Sequence, residues 1–156
     1  MIIVQQKLDS LADGPSGETI ELGVDRFRLL KRRWRGAARD GTLFGFELDR
    51  PLMHQDCFHV ANGKRYVIAQ EPERVLEVDL KGQALEGLQH VAWSIGNLHM
   101  PMQSLPSGVR VADDPAVRQL FDHLAVTFSE KEAVFEPIRS SSDIGHSHRH
   151  SHSHSG

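Results

Sequence analysis

One cysteine, Cys57, stands among 156 residues, so the chain can close no internal disulfide and build no four-thiolate metal site. No apolar run reaches the roughly 18 to 20 residues needed to cross a bilayer. The N-terminal Met1-Ile2-Ile3-Val4-Gln5-Gln6-Lys7 has neither a basic n-region nor a long apolar h-region. A cytoplasmic protein without membrane association is therefore expected, rather than a secreted one. Positive charge is in deficit: 18 Lys+Arg face 21 Asp+Glu, and a net charge of −3 argues against non-specific nucleic-acid binding as the main task. The motifs of catalysis are missing as well. There is no Gly-rich phosphate loop, no nucleophile elbow and no His-Glu-x-x-His, so binding is favoured and no enzyme is expected.

What is present in excess is histidine. The chain has ten, and His146, His148, His150, His152 and His154 fall within its last eleven residues. The remaining composition, 39% hydrophobic and 25% charged, is that of an ordinary globular protein with one medium domain or two small ones.

The first seventy residues read as β-rich. Met1 to Val4, Thr19 to Val24, Thr42 to Leu48 and Lys64 to Ala69 carry β-formers, separated by Gly14, Pro15 and Gly17, by Asp40-Gly41 and by Asn62-Gly63. Asn62-Gly63 between Cys57 to Ala61 and Lys64 to Ala69 is a strong hairpin signal. Phe44, Phe46 and Leu48 alternate with Leu43, Gly45 and Glu47 and give one strongly apolar face. Glu71-Pro72-Glu73 interrupts the pattern and marks a boundary.

Beyond it the pattern is mixed. Leu76, Val78 and Leu80 alternate as a strand, and Leu85, Leu88, Ala92 and Ile95 recur at helical spacing. Gly96-Asn97 offers a left-handed stop to that helix. His99 to Ser104 and Gly108 to Ala112 are extended candidates. Asp114 and Pro115 suit the N-cap and first position of a second helix, with Val117, Leu120, Phe121 and Leu124 as its buried stripe. A last extended stretch holds Thr127-Phe128 and Ala133 to Phe135. The expectation is an α+β chain in three parts. These are a small β-domain over 1–72, a ferredoxin-like βαββαβ domain over 73–138 and a disordered His-rich tail over 139–156, too polar to offset its ordering entropy.

Imidazole is a ligand for zinc, copper, nickel and iron, and protons compete with the metal as pH falls through about 6.5. The His-Ser alternation lets several tail imidazoles meet one ion. Engineered purification tags are usually uninterrupted His runs, and Arg149 with regular serines departs from them, so a natural metal-binding tail is the preferred reading. His99 follows a helix, where a loop presents it. A lone histidine in such a place is more often structural, but near a two-fold axis it would meet its own copy and double the ligand count. Met100 and Met102 beside it admit a copper(I) reading, with core filling the better prior.

The basic run Arg26, Arg28, Lys31, Arg32, Arg33, Arg35 and Arg39 carries no nucleic-acid motif. A solvated face or a docking patch for an acidic protein is preferred over RNA contact. His54, Cys57 and His59 are close in sequence but lack further ligands, so ordinary packing is expected of them.

Gly96-Asn97-Leu98-His99-Met100-Pro101-Met102-Gln103 fits the family segment Gly-Asn-x-His-x-Pro-x-Gln. With the domain order and the His-rich tail, it resembles the UreE family of urease accessory proteins. Lys31-Arg32-Arg33-Trp34-Arg35, Asp40-Gly41-Thr42 and Asp49-Arg50-Pro51-Leu52 extend the resemblance to the β-domain. The resemblance implies a homodimeric nickel metallochaperone with a peptide-binding-like N-terminal module, working with the GTPase UreG and through it with the urease apoprotein. It implies that His99 pairs across the dimer to bind nickel and that the tail supplies further ligands. Some members carry a His-x-His pair before the last helix; here Arg110-Val111-Ala112-Asp113-Asp114-Pro115 has none. Two other readings remain open at this point: a general zinc, copper or nickel buffer, and an RNA- or protein-binding adaptor using segment 26–39.

Overall fold

The computed structural model describes residues 1–8, 17–79, 81 and 83–139. The tail histidines His146, His148, His150, His152 and His154, the expected disorder over 140–156, Gly14-Pro15 and Leu80 lie outside the described residues. The described chain is α+β and divides into two units. The first is Met1–Glu73 with Glu132–Val134; the second is Arg74–Lys131 with the chain from Phe135 onward.

The first unit contains β1 (Ile2–Val4), β2 (Glu18–Val24), α1 (Arg26–Leu29), β3 (Arg33–Ala37), β4 (Leu43–Glu47), β5 (Cys57–Ala61) and β6 (Lys64–Gln70). They form two three-stranded sheets, ordered β1-β4-β3 and β2-β6-β5. Asn62 and Gly63 turn β5 into β6 with φ of 51° and 71°, the positive values that the tight hairpin turn needs. Alternation in β4 sends Phe44 and Phe46 inward. Trp34 stacks on Phe46 at 3.9 Å, and Phe44 meets Phe58 edge-on at 5.0 Å. Each fully buried ring of this kind contributes about 1.5–3 kcal/mol.

Sequence alone presents 26–39 as a charged run, whereas it holds α1 and β3. Asp25 Oδ1 accepts the Arg28 N–H at 2.9 Å and starts the helix, and Trp34 anchors the strand to the core. β1 pairs in parallel with β4, and β2 in parallel with β6. No local pattern announces these long-range pairings.

The second unit carries β7 (Glu73–Asp79), α2 (Leu85–Asn97), β8 (Met102–Leu105), β9 (Gly108–Ala112), α3 (Pro115–His123) and β10 (Ser129–Ala133). The sheet order is β10-β7-β9-β8, with β9 antiparallel to both β7 and β8. Its core joins Leu76, Val78, Val109 and Val111 of the sheet to Val91 and Ile95 of α2 and Val117 and Phe121 of α3. Asp114 Oδ1 accepts the Ala116 N–H at 2.7 Å, and Pro115 is the first residue of α3.

The buried stripe of α2 is Val91, Ser94 and Ile95, with Leu88 packed against the core from the edge. The expected stripe through Leu85 and Ala92 is rotated off this face. Leu85 is the first helical residue and is 66% exposed, leaving Val91 as the apolar partner of Ile95 at helical spacing. The extended segment expected from His99 begins only at Met102, because His99 and Met100 close the helix.

Candidate functional site

The end of α2 is built by the hydrogen bonds of a Schellman motif. Leu98 is the C-cap, His99 donates its backbone N–H to the Gly96 carbonyl at 2.9 Å, and Met100 donates to the Ile95 carbonyl at 3.3 Å. His99 sits at φ 56°, in the left-handed region. Met100, the residue beyond, packs half-buried against the core that contains Ile95. This pairing of an apolar residue with the third residue from the helix end is the usual companion of the motif. The expected stop at Gly96-Asn97 is thereby corrected: both residues remain helical, and the left-handed residue is the one that directs Met100 into the core.

Glycine is the common residue at this position, because a Cβ there costs on the order of 1–2 kcal/mol. The imidazole of His99 makes no hydrogen bond or ion pair among the described residues and is exposed. Its backbone is fixed at both the N–H and the following residue while its ring is free to take a ligand. The C-terminal end of a helix carries partial negative charge, which favours a cation nearby. Trp93, 66% exposed, and Leu98, 41% exposed, lie on the same final turns of α2. Sequence reasoning did not single out these two residues. Trp93 falls off the apolar stripe of the helix, and that was the signal available.

Among the described residues, no three His, Cys, Asp or Glu side chains gather into a metal site. A metal held by His99 would draw its other ligands from outside the described residues or from another molecule. Met100 and Met102 are partly buried against the core of the second unit, in keeping with the core-filling role preferred for them over copper(I) ligation.

The other histidines have ordinary surroundings. His54 Nδ1 accepts the Gln70 N–H at 3.1 Å. A bulge separates Cys57 from His59, so alternation does not bring their side chains to one site. Cys57 is buried with its thiol toward the His59 carbonyl, and the His59 ring stands edge-on to Phe44 at 5.5 Å. His90 tilts against Trp93 at 6.3 Å, and His123 is exposed at the end of α3.

Arg74, Arg110, Arg118 and Lys131 of the second unit are each held in an ion pair. Arg118 donates to Asp113 at 2.6 and 2.9 Å and to Glu130 at 2.7 Å. The Arg118 hydrogen bonds hold the Asp113 carboxyl below its usual range. Burial raises the Glu77 carboxyl, but Lys131 and Arg110 outweigh it and the net shift is downward. No helix among the described residues is long and apolar enough to cross a membrane.

Residues 73–156 match a family model described as the C-terminal domain of UreE urease accessory protein. The chain is 28% identical over 150 residues to a urease accessory protein UreE of Acinetobacter baumannii (strain AYE), covering 95% of this chain and 91% of that protein. It is 29% identical over the same shares to the UreE of Acinetobacter baylyi. A third relative, the UreE of Beijerinckia indica, is 28% identical over 125 residues, 79% of this chain and 70% of its own length.

Proposed function

Because the chain belongs to the UreE family of urease accessory proteins, we propose that it is a nickel metallochaperone that delivers nickel for assembly of the urease active site. As a family member it is an accessory chaperone and not an enzyme. Nickel is its cargo. In this reading two copies form a homodimer, a pair of His99 imidazoles holds one ion at the axis, and tail imidazoles from His146 to His154 capture, complete or hand over ions by ligand exchange. The 1–72 part serves as a peptide-binding-like module and 73–138 as a ferredoxin-like metal-binding domain. Partners are the GTPase UreG and, through it, the urease apoprotein, in the cytoplasm.

The observation that carries the reading is the exposed imidazole of His99 at a left-handed position where glycine would cost less. Exposed Trp93 and Leu98 support the dimer, since apolar surface of this kind is covered when copies associate. One imidazole per chain also fits a site completed by a second copy.

Nickel calorimetry on the full chain and on His99→Ala tests the site. The variant is expected to lose the tightest binding event, and undiminished tight binding would refute the assignment. Truncation before Ser140 is expected to lower the number of ions bound while retaining the tight one; an unchanged stoichiometry removes the tail from the mechanism. Metal analysis of protein from its native cell distinguishes nickel cargo from zinc or copper buffering, because affinity alone favours copper.

A further inference from the structure

We infer that the outer face of the β1-β4-β3 sheet docks an acidic, partly apolar extended segment of a protein partner. Of seven cations between Arg26 and Arg39, two are neutralised: Arg26 Nε pairs with Glu73 at 2.7 Å and Arg39 with Glu21 at 2.8 Å. Arg28, Lys31, Arg32, Arg33 and Arg35 are all exposed and make no ion pair among the described residues. Five unneutralised cations in eight residues form a local positive field on a chain whose net charge is −3. That field attracts carboxylates.

Register gives this charge a shape. Ile3, Gly45 and Arg35 stand in one row across the three strands, and Glu47 and Arg33 stand in the next. Their side chains project from the face opposite Phe44, Phe46 and Trp34, because successive residues of a strand alternate. Gly45 has no side chain, and a Cβ built there would lie 3.0 Å from Ile3 Cδ1. A groove of about 290 Å³ runs over this row, between Met1 and Ile3 on one side and Arg33 and Arg35 on the other. Ile3 is 50% exposed, Met1 66% and Leu43 57%.

Arg33 and Arg35 are about 7 Å apart along β3, the same interval at which every second side chain of an extended peptide recurs. A bound segment can present carboxylates to the arginines with one set of side chains and lay apolar groups on Ile3 and Met1. The chemistry favours peptide over RNA. The rings of this sheet, Trp34, Phe44 and Phe46, are buried and provide no platform on which bases could stack. This inference rests on the reading of residues 1–72 as a peptide-binding-like module and not on nickel binding.

The test uses the full chain and a fluorescein-labelled octapeptide of alternating glutamate and leucine, followed by polarisation, with a lysine-leucine octapeptide and polyuridylate as comparison probes. The acidic peptide is expected to bind, more weakly as salt rises. Arg33→Glu combined with Arg35→Glu is expected to reduce binding by roughly tenfold or more. Arg65→Glu, on the exposed side of β6, is expected to leave it unchanged, and nickel titration is expected to be the same in all three proteins. The inference is overturned if the acidic peptide does not bind, if Arg65→Glu weakens it equally, or if polyuridylate binds in its place. It is also overturned if the double variant changes the oligomeric state, which would give this face to a second copy.

Discussion

Helices α2 and α3 end in the same backbone motif and differ in the residue placed at its left-handed position. In α3, Leu124 is the C-cap, Ala125 at φ 53° donates to the Asp122 carbonyl at 3.2 Å, and Val126 donates to the Phe121 carbonyl at 3.0 Å. Val126 then packs against the core, as Met100 does after α2. The two ends are therefore an internal control. Geometry alone does not require a histidine, since alanine occupies the equivalent position one helix away. What separates the ends is that the left-handed residue itself carries an exposed imidazole at His99, with Trp93 and Leu98 exposed on the turns before it.

The largest expected effect comes from exchanging the two residues. His99→Ala with Ala125→His keeps one histidine at a left-handed helix end, yet nickel calorimetry should find the tight site gone. Tight binding retained by this exchanged variant would mean that any exposed imidazole at such an end suffices, and the comparison would lose its meaning. Next in size is the backbone cost itself. His99→Gly and Ala125→Gly should each raise stability by about 1 kcal/mol in urea unfolding, because both remove a Cβ from a left-handed residue. Only the first should abolish tight nickel binding. A destabilised His99→Gly would show that the ring contributes to the fold.

The smallest effect concerns the start of α3, where Asp113 is tied to Arg118 while α2 begins at Ala84 without a side-chain cap. The Asp113 carboxyl is lower in the folded chain than in the unfolded one. Its contribution is therefore fully present above the ordinary carboxylate value of about 4 and is lost below it, as pH falls through the lower folded value. Urea midpoints taken from pH 7 down to about pH 3 should fall more for the parent chain than for Asp113→Asn; parallel curves would show that the pair contributes nothing, as exposed pairs often do.

Much of this was legible in the chain, and the misses have physical causes. Asn62-Gly63, the alternation of β4 and the Asp114-Pro115 start of α3 are local signals, decided by residues a few positions apart. The end of α2 is misplaced by local reasoning because Gly96 and Asn97 tolerate left-handed geometry, whereas the choice is made by Met100 reaching the core. The α2 stripe is rotated for a related reason: Leu85 has the right spacing but stays exposed at the first position of the helix. Segment 26–39 hides α1 and β3 behind its charge, since only Leu29, Trp34 and Ala38 within it turn inward.

The candidate site divides in the same manner. Sequence singled out His99 from its surrounding segment, and the tail from its composition, without any coordinates. Those are statements about which groups are available, and covalent order contains them. Tertiary structure decided that His99 is exposed at a left-handed residue, that Met100 and Met102 pack partly buried against a core, and that Arg33, Arg35, Gly45 and Ile3 share one face. Those outcomes depend on pairings between distant strands and on where a core closes. They are set by burial and backbone hydrogen bonding summed over residues far apart in the chain, which no local pattern records.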